Sequence, residues 1–286
     1  MRKFCLSLMK SVLISGATGF LGSHVLAALP GVEKICLVRS HAVLKGCEIW
    51  RLDSAIPEKT VDGFIHCAAS VNPDNGEHNI ALTKRMLAIT KACDVKHFIF
   101  ISSYVVETTS ITSYMIAKRE EETLVKASGI PYTIFRPTAI FGPGDKITIG
   151  KLHDAVKRGK LIPLPDKGVA VMQPIFVKDL AKLIAAALFN KKAMNKTYTV
   201  GGTRTCMRDI VTLLCTMQQR KRKTIAVPAS LLQFVVNILH LCRLSPLHPK
   251  QVKNLVKDFP VDISQLQKDF GFVPTPFEKA MKETFG

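Results

Sequence analysis

The sequence lacks an uninterrupted apolar run long enough to cross a lipid bilayer. Its longest candidate is residues 231–244, which is too short and is interrupted by Gln233, Asn237, His240 and Arg243. Charged residues are also scarce, at 22% of the chain against 47% hydrophobic residues. A chain with this many apolar residues and this few charged ones collapses in water. The composition therefore excludes an intrinsically disordered protein and argues against a membrane-spanning one.

The eight cysteines form no C-x-x-C pair and have no metal-ligand spacing with histidine, so the sequence predicts no metal site. Most of them lie in apolar runs, where a free thiol behaves as a small hydrophobic side chain. This usage is typical of a reducing compartment. The apolar stretch near the N-terminus is too short for a signal peptide, and residues 1–8 read as an extension before the first strand. We therefore expect a cytoplasmic protein.

Acidic residues are few, 22 against 40 basic residues, which gives a formal net charge of +18. Residues 1–150 contribute 17 basic and 13 acidic side chains, and residues 151–286 contribute 23 and 9. The excess in the second half fits either a solvated lysine-rich surface or a lobe that contacts an anionic partner. Aromatic residues that stack on bases are rare, and the basic run at 220–223 has none beside it. We therefore predict a solvated loop at 220–223 and no nucleic-acid partner.

Short apolar runs alternate with amphipathic stretches from residue 10 onward. Five of the runs read as buried parallel strands, at residues 11–16, 34–39, 62–69, 97–103 and 131–137. Apolar residues with helical spacing lie between them, at residues 21–29, 79–93 and 114–127. Repeated strand–helix–strand units predict an α/β fold, a Rossmann-type doubly wound parallel sheet with right-handed crossovers. Within it, four histidines are predicted to be structural rather than catalytic: His24, His66, His78 and His97.

The pattern changes after residue 140. Residues 141–145 and 161–168 read as Pro/Gly-rich loops, residues 174–188 as a short strand feeding a helix, and residues 198–202 as a return to the sheet. The remainder is mostly helical and broken by prolines. We predict an NADP-binding Rossmann domain made of residues 9–150 and 171–202. The remaining residues, 151–170 and 203–286, are predicted to form a small, mostly helical C-terminal substrate lobe.

Gly16, Gly19 and Gly22 directly follow the first predicted strand and open the first predicted helix. Glycine in such a turn lets the backbone approach a pyrophosphate without an intervening Cβ, and the helix N-terminus offers free N–H groups. The spacing is G-x-x-G-x-x-G rather than the commoner G-x-G-x-x-G. Glycines alone would indicate only a tight turn, but their position between a buried strand and an amphipathic helix predicts a dinucleotide site.

Arg39 ends the second predicted strand, where an NAD site carries Asp or Glu for the ribose 2′-hydroxyl. A guanidinium binds a 2′-phosphate through charge-assisted hydrogen bonds, whereas a carboxylate repels it. The sequence therefore favours NADP as the cofactor, with NAD as the second choice. The alternative is that Arg39 is an ordinary solvent-exposed side chain at a strand end with no role in cofactor binding. Asp53, just past the third strand of the pattern, either hydrogen-bonds the adenine or is an ordinary surface carboxylate.

Tyr114 and Lys118 are four residues apart on a predicted helix, so they share one face. The ammonium group of Lys118 can stabilise the phenolate of Tyr114 and also reach a nicotinamide ribose. Tyr114 then serves as a general acid or base at a carbonyl or hydroxyl, and Ser103, eleven residues earlier at a strand end, holds the same oxygen. A lone Y-x-x-x-K arises by chance, but its order after the glycine turn, the basic strand end and the serine is informative.

Several motifs together resemble the extended short-chain dehydrogenase/reductase family, which includes NAD(P)-dependent epimerases, dehydratases and hydroxysteroid-type dehydrogenases. They are GATGFLGSHV (16–25), HCAASVN (66–72), HN (78–79), FIFISS (98–103), YMIAK (114–118), RP (136–137), FGPG (141–144), PIFVKDLA (174–181), YTVGG (198–202) and DFGFVPTP (269–276). The resemblance implies that Ser103, Tyr114 and Lys118 form the catalytic triad and that Asn79 supports the active site. It also implies cofactor contacts at Gly16, Thr18, Gly19, Phe20, Leu21, Gly22, Arg39, Asp53, Ala68, Ala69, Tyr114, Lys118 and Pro137.

Within the family, GFLGSHVLAAL, KICLVRS and HCAASVN are most similar to the thioester-reductase and fatty-acyl-reductase branch, which uses NADPH on thioester-bound acyl groups. Two features depart from the family pattern. The interval between Ser103 and Tyr114 is short, and residues 105–107 read VVE where many members carry a Tyr-Gly pair. These departures leave the cofactor motifs intact and concern the substrate.

The leading interpretation is an NADP(H)-dependent oxidoreductase that transfers hydride at a carbonyl or carbinol carbon of an anionic or carrier-linked small molecule. One alternative is a nucleotide-sugar epimerase or dehydratase that keeps its NAD(P) bound. Another is a non-catalytic NADP-binding scaffold or redox sensor. Three alternative roles are open for residues 230–244, in order of preference: a helix over the substrate pocket, a homodimer contact, and a segment lying on a membrane surface.

Overall fold

The computed structural model describes residues 9–39, 42–56, 58–70, 72, 75–108, 112–159, 161–241 and 256–286, apart from the side chains of 239–241. By its internal contacts the chain divides into two compact units. The first extends to Pro137 and adds Leu180–Tyr198 and Gln265–Phe272. The second comprises Thr138–Asp179, Thr199–Ser264 and Val273–Gly286. The domain limits derived from the sequence stay a prediction, and the predicted extension at 1–8 lies outside the described residues.

Thirteen strands and nine α-helices lie within the described residues. The strands are β1 (Ser11–Ser15), β2 (Glu33–Val38), β3 (Glu48–Arg51), β4 (Gly63–His66), β5 (His97–Ile101), β6 (Tyr132–Pro137), β7 (Ile140–Phe141), β8 (Leu161–Pro165), β9 (Val171–Met172), β10 (Ile175–Phe176), β11 (Lys196–Val200), β12 (Thr205–Cys206) and β13 (Lys223–Val227). The helices are α1 (Phe20–Ala27), α2 (Gly76–Ala92), α3 (Ser113–Lys126), α4 (Ile149–Arg158), α5 (Val177–Ala187), α6 (Met207–Met217), α7 (Ala229–Leu241), α8 (Ser264–Phe270) and α9 (Phe277–Phe285).

Seven strands form the main sheet in the order β11-β6-β5-β4-β1-β2-β3. The pairs among β1 to β6 are parallel; Val12, for example, lies opposite Lys34 on one side and Gly63 on the other. The chain runs outward from β1 to β3 and restarts at β4 on the other side of β1, so the strand order reverses between β1 and β4. The predicted doubly wound Rossmann-type fold is confirmed. Ligands of such sheets bind at this reversal, outside the carboxyl ends of the strands.

The strands of the sheet are continuous apolar runs because both of their faces are covered. Val12, Leu13 and Ile14 in β1 are fully buried, as a central parallel strand requires. Phe64 of β4 and Phe98 of β5 belong to the core on one face, and their rings meet edge to face with centroids 5.3 Å apart. The first three helices lie within three residues of the limits that helical spacing predicts.

The second unit contains three two-stranded ladders within the part of the chain that is described: β7 with β10, β8 with β13, and β9 with β12. The predicted loop at 161–168 is wrong for its first five residues, which form β8. They pair in parallel with β13, where Lys223 lies opposite Leu161. In a two-stranded ladder every strand is an edge, so Pro163 and Pro165, two residues apart, can both turn away from β13. The predicted loop at 220–223 ends one residue early because Lys223 begins β13.

Helix α7 occupies most of the segment for which three roles were predicted. Its Leu231, Phe234, Val235 and Ile238 are exposed at helical spacing, whereas Val236 is buried. Among the described helices none is both long and apolar enough to span a membrane. A helix over the pocket, a homodimer contact and a membrane-surface segment all stay predictions for α7.

Phe98→Ala is predicted to lower the free energy of unfolding by about 3–5 kcal/mol, because it removes a fully buried ring from the sheet core and leaves a cavity. Phe234→Ala is the matched control, since its side chain is 61% exposed. That change should stay within about 0.5 kcal/mol of zero. Equilibrium urea denaturation followed by circular dichroism measures both variants, and equal losses would contradict the placement of Phe98.

Candidate active site

The turn after β1 brings the backbone into direct contact with the loop after β4. Gly16 has a φ of +75°, in the left-handed region, and a Cβ there would lie 2.7 Å from the backbone nitrogen of Ala68. The N–H of Cys67 donates to the carbonyl of Ser15 at 3.1 Å and ties the two segments together. A Cβ on Gly22 would lie 2.0 Å from the Gly16 carbonyl oxygen. Close packing therefore requires glycine at both positions.

Helix α1 begins directly after this turn. Its N-cap is Gly19, which has no side chain to cap the first-turn N–H groups, and that turn contains no acidic residue. Thr18 and Gly19 are exposed, Phe20 is half-buried, and Leu21 and Gly22 are buried. A helix N-terminus of this kind attracts anionic phosphates. The turn thus fits the pyrophosphate of a dinucleotide, with backbone donors and no Cβ to block the approach.

Arg39 lies exposed just past the carboxyl end of β2. The N–H of Leu52 donates to the carbonyl of Val38 at 2.8 Å, so the loop after β3 runs beside Arg39. In that loop, Asp53 accepts two hydrogen bonds from Arg51, at 3.0 and 2.7 Å. These bonds hold the pKa of the exposed Asp53 carboxyl below its usual range. Asp53 therefore forms a surface ion pair beside the end of β2.

Asn79 closes the loop after β4 from α2. It is buried, its Oδ1 accepts a hydrogen bond from the N–H of Ser70 at 2.8 Å, and its Nδ2 donates to the carbonyl of Ser70 at 2.8 Å. Ala68 and Ala69, which directly precede this clamp, are half-buried and exposed, respectively. The side chain of Asn79 thus binds the backbone of the loop at Ser70 and fixes the segment that contacts the glycine turn.

Tyr114 and Lys118 lie on one face of α3. The Nζ atom of Lys118 is 6.0 Å from the centroid of the Tyr114 ring and donates a hydrogen bond to the carbonyl of Ile101 at 3.3 Å. Tyr114 is half-buried, and so is Ser103, whose hydroxyl accepts from the N–H of Val105 at 3.5 Å. Lys118 therefore contacts the end of β5 two residues before Ser103. Pro137, the remaining predicted site residue, is buried at the end of β6.

Sequence reasoning missed a partner of Lys118. Its Nζ lies 2.8 Å from Oε2 of Glu121, and the two side chains are 2% and 1% exposed. The Thr83 hydroxyl donates to Glu121 at 3.1 Å, and the ring of His66 bonds to Thr83 at 3.2 Å and to Ser15 at 2.6 Å. Because Thr83 donates to Glu121, His66 donates from Nε2 and accepts the Ser15 proton at Nδ1. A buried polar chain therefore connects Lys118 to the end of β1.

Two histidines of the sheet are neutral and structural. Burial, and after it the charge of Lys118, lowers the pKa of His66 to about 3. Burial lowers the pKa of His97 to about 4. The His97 ring bonds to the Thr133 hydroxyl at 2.9 Å and accepts the N–H of Phe189 at 3.0 Å. Neither ring takes up a proton at neutral pH, so both serve as fixed hydrogen-bonding groups.

A second ion pair, between buried Glu122 and half-buried Arg136, fastens α3 to the sheet. Arg136 of β6 donates to both oxygens of Glu122, at 2.8 and 2.6 Å, and Ser102 donates to the same carboxylate at 2.7 Å. Burial would raise the pKa of Glu122, but the hydrogen bonds from Arg136 and Ser102 outweigh it and lower the pKa below its usual range. The helix that carries Tyr114 is therefore anchored to the ends of β5 and β6.

A glycine turn at a helix N-terminus, set at the reversal point of a doubly wound sheet, is typical of dinucleotide-dependent proteins of the Rossmann class. Residues 12–201 match the model of the NAD dependent epimerase/dehydratase family. The chain belongs to this family. The predicted resemblance to the extended short-chain dehydrogenases/reductases is confirmed, and with it the class of NAD(P)-dependent oxidoreductase or epimerase.

Two curated relatives illustrate the range of the family. UDP-glucose 4-epimerase of Vibrio cholerae is 28% identical over 233 residues, which cover 67% of this chain and 70% of the relative. Ceramide reductase of Caulobacter vibrioides (strain NA1000 / CB15N) is 32% identical over 191 residues, which cover 61% of this chain and 60% of the relative. The chain thus spans less than three quarters of the length of either relative.

One solved structure gives the same fold over nearly the whole chain. UDP-glucose 4-epimerase of Thermotoga maritima, determined with UDP-glucose, superposes with a TM-score of 0.74 at 17% identity and covers 96% of both chains. At this identity the superposition shows the fold alone.

Gly16→Ala is predicted to destabilise the protein more than Gly31→Ala does. Both glycines have positive φ, +75° and +70°, but a Cβ at Gly31 meets nothing within 4 Å. Gly31→Ala should cost about 1–2 kcal/mol for the left-handed backbone alone. Gly16→Ala should exceed that cost because its Cβ also collides with Ala68. Urea denaturation of the two variants measures the difference, and equal costs would contradict the close approach of the two loops.

Proposed function

We propose that this protein is an NADP(H)-dependent oxidoreductase that acts at a carbonyl or carbinol carbon. The observation that carries the proposal is the Tyr114–Lys118 pair on α3, with Lys118 in contact with the end of β5. That strand end lies at the same edge of the sheet as the glycine turn. The bound cofactor supplies the hydride chemistry. The residues of the chain bind the dinucleotide, orient the reacting oxygen and move a proton at it.

Three side chains divide the chemistry of the reacting oxygen. The Tyr114 hydroxyl gives or takes the proton as general acid or base. The Lys118 ammonium stabilises the phenolate form of Tyr114 and holds the nicotinamide ribose through its remaining N–H donors. Its burial supports the stabilisation of the phenolate, because an electrostatic interaction is stronger where water does not screen it. The Ser103 hydroxyl holds the substrate oxygen by a hydrogen bond.

NADP rather than NAD is the proposed cofactor. Exposed Arg39 at the end of β2 provides a guanidinium for the ribose 2′-phosphate, and residues 34–47 contain no acidic residue. The nearby carboxylate of Asp53 is engaged by Arg51, so it repels a phosphate less than a lone carboxylate would. The main-chain N–H groups of the first turn of α1 receive the pyrophosphate.

The proposed substrate is an anionic or carrier-linked carbonyl compound. Residues 151–286 supply 23 basic and only 9 acidic side chains, a surplus that suits phosphate or pyrophosphate groups. The epimerase from Vibrio cholerae keeps a second candidate open, an epimerase that recycles its cofactor. Net consumption of NADPH separates the two, because an oxidoreductase consumes one cofactor per product and an epimerase consumes none.

Tyr114→Phe is predicted to lower kcat by about 100-fold or more while NADPH still binds, because the variant loses the phenolic hydroxyl that carries the proton. Tyr132→Phe is the matched control: it removes the same atom at the start of β6, on the opposite edge of the sheet. Initial rates at the nicotinamide absorbance and a fluorescence titration with NADPH measure the two quantities. Full turnover in Tyr114→Phe would refute the proposed mechanism.

Arg39→Glu is predicted to shift the ratio of NADPH to NADH affinity toward NADH by roughly 10- to 100-fold. A charge-assisted hydrogen bond contributes about 1.5–3 kcal/mol, and each 1.4 kcal/mol is a factor of ten. Lys91→Glu makes the same charge change near the end of α2, at the opposite edge of the sheet, and should leave the ratio unchanged. Fluorescence titrations with both cofactors give the ratio. An equal ratio in wild type and Arg39→Glu would remove the 2′-phosphate argument.

A further inference from the structure

Glu121 is a buried carboxylate on α3 that the proposed chemistry does not use. Its side chain is 1% exposed. The glutamates on either side have other environments, since Glu120 is exposed with Lys84 at 3.9 Å and Glu122 is held by Arg136. A buried charge without a compensating partner is strongly unfavourable, so Glu121 must be paired or neutral. Its contacts show which partner it has.

Glu121 faces two groups from two helices. Its Oε2 lies 2.8 Å from the Lys118 ammonium, and the two groups form an ion pair that is not aligned as a hydrogen bond. Its Oε1 accepts the proton of the Thr83 hydroxyl on α2, at 3.1 Å. Thr83 in turn bonds to His66 at the end of β4. Glu121 is therefore held by a second helix and, through it, by the sheet, so its carboxylate is a fixed point for the flexible lysine side chain.

Lys118 depends on this carboxylate for compensation of its charge. Its other described contacts are the Ile101 carbonyl of β5 at 3.3 Å and the faces of two rings, Phe100 at 4.8 Å and Tyr114 at 6.0 Å from their centroids. The nearby titratable group on β4 is His66, which is neutral because burial lowers its pKa to about 3. Glu121 thus supplies the negative charge among these contacts.

We propose that Glu121 is a positioning residue that keeps the Lys118 ammonium charged and fixed one turn from Tyr114. Its effects on turnover and on NADPH affinity rest on the proposed function, whereas its effect on the position of Lys118 follows from the contacts alone. Lys and Glu three residues apart usually form a weak surface pair. Here both side chains are buried, so the pair fixes the position of Lys118 on the face of α3 that carries Tyr114.

Glu121→Gln tests the role because it keeps the shape and the acceptor for Thr83 but removes the charge. A buried ammonium without its carboxylate gives up its proton at a lower pH. NADPH affinity, followed by fluorescence titration through the neutral and alkaline range, should therefore fall off at a lower pH in Glu121→Gln than in wild type. The alkaline limb of kcat/KM should move in the same direction, and Glu121→Asp should restore part of the range.

Glu120→Gln is the control, because it makes the same charge change on the same helix at an exposed position, and it should leave both pH profiles in place. A thermal melt of the protein without cofactor checks folding. If Glu121→Gln alone does not fold, the double variant with Lys118→Met should fold, because removal of both charges leaves no uncompensated one. If that double variant does not regain stability, the conclusion that Lys118 and Glu121 compensate each other's charge is wrong.

Identical pH profiles of NADPH binding in Glu121→Gln and wild type would overturn the positioning role. This outcome is separate from a failure of the proposed function. If the binding profile shifts while wild type reduces no carbonyl substrate, the positioning role stands and the oxidoreductase proposal fails. If turnover depends on Tyr114 but the binding profile does not shift, the positioning role alone fails.

Discussion

The close approach of two backbone segments organises the candidate site. Gly16 meets the backbone of Ala68 at a distance that excludes any Cβ, and the hydrogen bond from Cys67 to Ser15 holds the contact. The contact lies where the strand order reverses, so it sets the N-terminus of α1 at the carboxyl edge of the sheet. Asn79 clamps the second segment from α2. The position of the glycine turn is therefore set by the fold itself.

Buried charge fastens the other half of the site. Lys118 and Glu121 of α3 form a buried ion pair, and Glu122 of α3 forms a second pair with the half-buried Arg136 of β6. Buried pairs contribute little net stability compared with apolar replacements, but loss of one partner is costly because the other charge is left unpaired. The two pairs therefore restrict both the rotation of α3 about its axis and its displacement relative to the sheet. That restriction gives Tyr114 a fixed position relative to the end of β5.

The fold and the glycine turn were predictable because their signals are local. Strand β1 is buried on both faces and reads as an apolar run, and Gly16 follows it directly. The sequence predicts a loop for β8 because proline normally interrupts strands. Strand β8 pairs only with β13, so both strands of this ladder are edge strands, which tolerate proline. The Lys118–Glu121 pair was missed because its spacing is that of an ordinary surface pair. Burial by α2 distinguishes it, and that is a tertiary property.

The central claim is that the dinucleotide lies from the glycine turn to Lys118 along the carboxyl edge of the sheet. A crystal structure of the complex with NADPH tests it most directly. The account predicts the pyrophosphate at the N-terminus of α1, the 2′-phosphate at Arg39 and the nicotinamide ribose within hydrogen-bond distance of Lys118, which keeps its contact with Glu121. Density for the cofactor elsewhere, or a ribose out of reach of Lys118, would contradict it.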